Sequence, residues 1–467
     1  MITITRLLAR QVRAVFSRCL SFSSRGPFPP VMFRADGDGL TIRTTSHDAA
    51  IAFHQPGDVS EERFAVPFNV LKQCEGGKAD DVTLERIDQR VAVQWNDGGI
   101  PQVVQVEAES TEEDFPAVPS EMAANDARLV AALRDAAATT NNIATRYALS
   151  CLQLQGEQGM IVATDGHQLL IQDGFDFPWD DDVLIPARRV FASRELPMGQ
   201  PVEVGKSDDW VCVRIGPWTL HFQIETEARF PHVEDHVPDA DSAVTTLQLS
   251  DADALFLTKS VKRLPCGDDC NLPVTVDLNG EIAIRAQGDE QSSPTELILT
   301  NSSRSGEVIQ FNTNREFLAR AMQLGFRDVR FTGPEAPAFC HDQNRQYLWA
   351  LLGKDGAIQS HERATRIESP TDPAVSPTSQ PESRRPPTTM PKHKQTSGNA
   401  KHNDGESATE TNGSTSLIEQ AESLRDSLQG SLSQTRELIA ALKRQKKQSR
   451  LMKSTLASLR QLQTVDV

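Results

Sequence analysis

Apolar and polar residues alternate over 39–43, 50–53, 82–85 and 91–95, the period of half-buried β-strands. The same signal recurs at 150–155, 160–164, 168–172, 201–204, 210–215 and 219–224, and again at 274–278, 281–285, 295–300 and 327–332. Two stretches change to helical spacing. Residues 126–138 place Leu129, Val130, Leu133 and Ala136 on one face after an Asn125/Asp126 cap, and residues 250–263 open on Ser250-Asp in the same manner. The start of the chain reads as a strand over 1–5 followed by a basic helix. Met1 to Ser24 carries arginines and serines without an acid, a composition that a targeting segment would share.

Three segments repeat one plan, roughly 120 residues apart. They are Phe64-Ala-Val-Pro67-Phe-Asn-Val-Leu71, Val183-Leu-Ile-Pro186-Ala-Arg-Arg-Val190 and Val308-Ile-Gln-Phe311-Asn-Thr-Asn-Arg315-Glu-Phe-Leu318. Each leads from an apolar strand through Pro or Asn into a short helix. The first two also close alike, on Asp114-Phe-Pro and Arg229-Phe-Pro. The expectation is an α+β chain of three tandem units, 1–120, 121–241 and 242–356. Residues 357–415 are rich in Ser, Thr, Pro and Gln, too poor in large apolar side chains to offset chain entropy, and read as a disordered linker. From Leu417 to Leu459 an interrupted heptad pattern with polar core positions predicts a helix or weak coiled coil over 416–465.

Charge sharpens this division. The chain has 467 residues and a net charge of −16, yet residues 356–467 hold 16 basic against 12 acidic side chains, leaving 32 against 52 in the body. Such an acidic body excludes a nucleic-acid reading only if its basic residues are scattered. Here they concentrate on the expected helices: Arg6, Arg10, Arg13 and Arg18; Lys72; Arg188, Arg189 and Arg194; Lys259, Lys262 and Arg263; Arg315 and Arg320. The seven cysteines lack a second ligand pair at zinc spacing, so reduced thiols and no metal or other cofactor are expected. No apolar run reaches membrane-spanning length.

Thr145-Arg-Tyr147, Met160-Ile-Val-Ala-Thr-Asp-Gly-His-Gln-Leu169, Ile185-Pro-Ala-Arg and Arg229-Phe-Pro together resemble the bacterial DNA polymerase III β subunit family, the sliding clamps. The resemblance covers 1 to about 356 and is strongest in the second unit. It implies three tandem DNA-clamp domains, helices lining a channel and curved sheets outside, in a cytoplasmic head-to-tail homodimer. That ring would encircle double-stranded DNA without sequence preference and tether the replicative polymerase α subunit. A clamp loader and repair proteins with clamp-binding motifs would be its other partners. It adds Arg25, Arg146 and Tyr147 to the helix-borne cations as DNA contacts. It also implies a peptide-binding cleft from Leu149, Thr164, Gly166, His167, Gln168, Leu169, Pro238, Leu348, Ala350 and Leu351. Gln168 stands where a basic residue is usual, and Ala350-Leu351 where a Met-Pro pair is common. A less plastic cleft should accept fewer partners. The extension beyond 356 has no counterpart in the usual clamp, which leaves a second possibility open: a diverged clamp-like scaffold acting through its cleft and tail. The last residues, Gln461-Leu-Gln-Thr-Val465, faintly resemble a clamp-binding motif without its aromatic residue.

Asp165 and His167 invite an acid/base reading. Their two-residue separation instead suits an Asp-Gly turn beside a groove-lining histidine, and no nucleophile elbow, phosphate loop or zinc-protease motif accompanies them. A non-enzyme is expected.

Overall fold

Thr5 ends the first strand and starts the first helix, because its hydroxyl accepts the Leu8 amide at 3.1 Å. A computed structural model describes residues 1–371 except 22–25, 27, 111–113, 142–146, 240–241 and 268–270. Arg25, Arg146, most of the expected linker and the whole heptad tail lie outside the described residues.

The first segment runs β1 (Ile2–Thr5), α1 (Arg6–Cys19), β2 (Val31–Asp36), β3 (Gly39–Thr45), β4 (Ala49–Pro56), β5 (Glu62–Val66), α2 (Asn69–Cys74), β6 (Asp81–Ile87), β7 (Arg90–Asp97) and β8 (Ile100–Glu107). α1 has no acid in its first turn to favour the helix dipole, an omission worth less than about 1 kcal/mol. It buries Leu8, Val12, Val15, Phe16 and Cys19 on one face, and at about 1.5–3 kcal/mol per large apolar side chain that burial decides the outcome.

The second segment runs β9 (Ala123–Asn125), α3 (Arg128–Ala137), β10 (Cys151–Gln155), β11 (Met160–Thr164), β12 (Gln168–Gln172), β13 (Asp182–Pro186), β14 (Val202–Lys206), β15 (Trp210–Ile215) and β16 (Trp218–Gln223). The third runs β17 (Thr245–Gln248), α4 (Asp251–Ser260), β18 (Pro273–Asp277), β19 (Ala283–Ala286), β20 (Thr295–Ile298), β21 (Ser303–Gly306), β22 (Gln310–Asn314), α5 (Arg315–Gln323), β23 (Asp328–Phe331), β24 (Ala338–His341), β25 (Arg345–Trp349) and β26 (Thr365–Glu368).

The repeated sequence plan is thus a repeated local structure. β5 leads into α2 and β22 into α5, whereas β13 leads only into a 3-10 turn, Arg189–Ala192. Ser193 is extended there and Pro197 follows, so the turn does not grow. Asn125 lies in β9 rather than in a cap; Asp126 alone accepts from the first helical amide, that of Arg128, at 2.8 Å.

The described strands form four sheets. β1-β6-β7-β8 and β22-β18-β19-β20-β26 stand at the ends of the chain order. The eight-stranded sheet β5-β2-β3-β4-β16-β15-β14-β9 joins the first segment to the second through the β4–β16 ladder, Ala50 opposite His221. The nine-stranded sheet β13-β10-β11-β12-β25-β24-β23-β17-β21 joins the second to the third through β12–β25, Leu169 opposite Leu348. Ladder hydrogen bonds therefore cross both junctions. One core is shared by the first two segments, and a separate core fills the third around Phe311, Phe331, Tyr347 and Trp349.

One boundary needs correction. The linker expected from residue 357 meets ordered backbone: Ile358 donates to the Thr275 hydroxyl, and β26 adds to the edge of β20. Backbone hydrogen bonds to an existing sheet need no large apolar side chains, so composition gave no sign of this strand.

Candidate nucleic-acid interface and peptide groove

The helices form a continuous row. α1 packs on α2 and on the turn Arg189–Ala192; that turn packs on α3; α5 packs on α4. The step from α3 to α5 is made by Arg320, whose Nη2 donates to the Asp135 carbonyl at 2.7 Å in the last turn of α3. A cation at a helix C-terminus satisfies an orphan carbonyl and the dipole together.

Along this row the expected DNA contacts that the structure describes divide by environment. Arg10, Lys72, Arg189, Arg194, Lys259, Lys262 and Arg263 are exposed. Arg18, also expected in the basic first helix, is exposed and holds Ser193 Oγ at 3.0 Å. Tyr147 is 45% exposed, with its backbone bridged to Arg229.

Four of the expected contacts are structural instead. Arg6 bonds the carbonyls of Cys74, Glu75 and Asn96 as well as Asp97, tying α1 to the loop after α2 and to the β7–β8 turn. Arg188 pairs with Asp48 across the first junction. Arg320 is committed to α3, and burial lowers its pKa. Arg315 is 3% exposed, and burial lowers its pKa too. Its guanidinium donates to the carbonyls of Leu272 at 3.0 Å, Leu264 at 2.5 Å, and Pro265 and Pro273 at 2.8 and 3.1 Å. Arg13 is intermediate, half-buried against Glu75. Arginine's five fixed donors suit both phosphates and converging carbonyls, so residue type could not separate the two roles.

The groove is built where β12 meets β25. Asp165 shapes the turn before β12: one carboxylate oxygen accepts the His167 and Gln168 amides at 2.8 and 2.9 Å, and the other accepts Gln168 Nε2 at 2.8 Å. Thr164 Oγ1 accepts the Gly166 amide at 3.0 Å and donates to the Gln168 carbonyl at 2.6 Å. Gly166 has φ of +91°, open to glycine and costly for other residues. Asp165 and His167 are thus turn-former and rim, not a dyad. Gln168 is fixed from its other end by the Tyr347 hydroxyl at 2.7 Å. A basic side chain at 168 could not accept that bond.

The resulting groove, about 300 Å³, is lined by Thr164, Gly166, His167, Gln168, Leu169, Leu348 and Ala350 from the expected set. Pro231, His232, Val233, His236 and Pro337 complete it. Leu149 stands 3.7 Å from where a side chain at Gly166 would begin, beside the groove. Pro238 does not line it. Leu351 turns away: it bridges Thr313 and packs on the third core. The histidines and prolines were missed because they sit in the Phe-Pro closing segment and in the loop before β24. The repeated Arg229-Phe-Pro was the one available pointer to the first of these.

No family model matches the chain, and no curated protein sequence matches it. Solved structures do. A putative DNA polymerase III β subunit from Eubacterium rectale superposes with a TM-score of 0.62 at 13% identity, over 75% of this chain and 98% of that one. The DNA polymerase III β subunit of Pseudomonas aeruginosa gives 0.60 at 18%, over 75% and 99%. The DNA polymerase sliding clamp of Bacillus subtilis gives 0.61 at 16%, over 75% and 98%. The body of this chain has the DNA-clamp fold.

Proposed function

We propose that this protein is a sliding clamp: a non-catalytic homodimeric ring that encircles duplex DNA and tethers the replicative polymerase. The observation that carries the reading is the helix row. In a body with 32 basic and 52 acidic residues, it presents Arg10, Arg18, Lys72, Arg189, Arg194, Lys259, Lys262 and Arg263 to solvent. Exposed cations replace phosphate counterions without reading bases, and so permit sliding. The groove between β12 and β25 supports a second role, capture of short peptides from the polymerase α subunit, the clamp loader and repair proteins. Burying ~400 Å² of peptide gives ~10 kcal/mol gross, most of it offset by ordering costs, which leaves roughly micromolar, exchangeable binding.

The scaffold reading gains support from the inward commitment of Arg6, Arg188, Arg315 and Arg320, which leaves fewer cations for DNA. Retention on DNA separates the two. The protein is loaded onto nicked circular plasmid by its clamp loader, with a known clamp as control, and the DNA is then linearised in high salt. A clamp stays on circles and is lost from linear DNA. Equal loss from both would refute the ring.

A further inference from the structure

Among the described residues eight strands end a sheet, and β8 is the longest of them, with eight residues, all paired to β7 on one side. Ile100 and Val103 on it are 65% and 60% exposed. A long edge strand carrying exposed apolar side chains is a template for another strand. The sheet at the opposite end of the chain order has a different edge. Its outermost strand, β26, has four residues, all exposed, and lies parallel to β20. Every other ladder between the described strands is antiparallel. β26 also lies beyond β25, the strand that completes the nine-stranded sheet, and so outside the repeated plan. Without it, β20 would be the edge.

We propose that residues 365–368 hold back assembly: in the isolated chain they cover the edge of β20, the edge that strand β8 of a second copy would need in the proposed ring. The inference rests on the ring proposed above. Each copy carries one β8 and one β20, on different segments, so two copies in head-to-tail contact satisfy both edges and close. β8 can pair antiparallel, the more stable ladder per residue, where β26 pairs parallel. The covering strand is fastened at its two ends and by an exposed ion pair from Arg366 to Glu281 at 2.6 Å. The Thr365 amide donates to the Pro294 carbonyl at 3.0 Å, and the Ser369 amide to the Ile298 carbonyl at 2.9 Å. Ser369 is 4% exposed and its hydroxyl accepts the Thr300 amide at 2.9 Å. Between these anchors the register places Ile367 opposite Leu297, with its own side chain 44% exposed. Release of 365–368 therefore exposes β20 backbone while uncovering little apolar side chain.

The test uses the full chain with Cys266 and Cys270 changed to Ser. Thr295 and Thr365 are register partners, so Thr295→Cys with Thr365→Cys pins the covering strand when oxidised and frees it when reduced. Ile367→Pro loosens the strand independently, by removing a mid-strand donor on an exposed segment. Sedimentation velocity across a concentration series reads the dimer. The reduced pair and Ile367→Pro should dimerise at concentrations at least tenfold lower than the oxidised pair. Adding Val103→Lys to Ile367→Pro should return it to monomer. Equal dimerisation of the oxidised and reduced pairs would overturn the blocking role of 365–368 and leave the ring standing. A dimer untouched by Val103→Lys would overturn β8 as the occupant. No dimer in any form would overturn both this inference and the ring.

Discussion

Arg315 tests whether burial, and not charge, decides what an arginine in this chain does. Arg315→Ala removes a guanidinium that four backbone carbonyls share, from Leu264, Pro265, Leu272 and Pro273. Leu272 has φ of +47°, a left-handed conformation that a leucine holds only when its surroundings impose it. Arg315 holds the carbonyl of this residue twice, because its backbone amide also donates to it, at 3.2 Å. The bonds are charge-assisted, but the guanidinium gave up its own hydration to make them, so their worth is not the sum of four. Arg315→Ala leaves no charge behind but strips the guanidinium donors from these buried carbonyls, at about 1–3 kcal/mol for each left unsatisfied, so about 3–5 kcal/mol is expected in all. For a unit of about 120 residues that is a fall of roughly 10–25 °C in melting temperature. Calorimetry on the whole chain reads it as a shift of the lowest endotherm, since several transitions are expected of a chain this size. Arg189→Ala, on an exposed side chain, should leave that endotherm within about 2 °C while weakening non-specific DNA binding. Arg315→Ala with a melting temperature within about 2 °C of the parent would refute the assignment.

Two further predictions concern buried titratable groups. His221 is fully buried, its ring nitrogens lack hydrogen-bond partners, and its ring meets Phe115 edge-on. Burial lowers its pKa from 6.5 to about 4. The unfolded chain then binds a proton that the folded chain refuses. Stability is whole above about pH 6.5 and falls as pH drops toward 4, by roughly 3 kcal/mol at most. His221→Phe should flatten that part of the pH profile in urea titrations; an unchanged slope would refute it. The thiols of Cys19, Cys74 and Cys212 are pushed up to about 12 and that of Cys151 to about 11, each chiefly by burial, and Cys340 is raised too. Native maleimide labelling followed by intact mass should therefore modify at most two of the seven cysteines, Cys266 and Cys270. A third native label would contradict the packing.

What the sequence determined by itself is local and periodic. Alternation over 39–43 and 210–215 became β3 and β15, because a strand half buried in a sheet must sort its side chains by face. Ser250 starts α4 by accepting the Asp253 amide at 3.1 Å, a bond between near neighbours that needs no tertiary context. The Thr164-Asp-Gly-His turn was equally legible, since its hydrogen bonds close within five residues. The tertiary structure decided whatever depended on distant partners. Arg189 and Arg315 are the same residue type on equivalent repeats, yet one faces solvent and the other is enclosed by carbonyls from 264 to 273. The groove's third-segment lining, Pro337, Leu348 and Ala350, reaches β12 because β12 pairs with β25 across nearly 180 residues of chain. β26 is the plainest case. Its four residues carry no alternation and bury nothing, and they form a strand only because β20 leaves a row of backbone donors and acceptors to be paired.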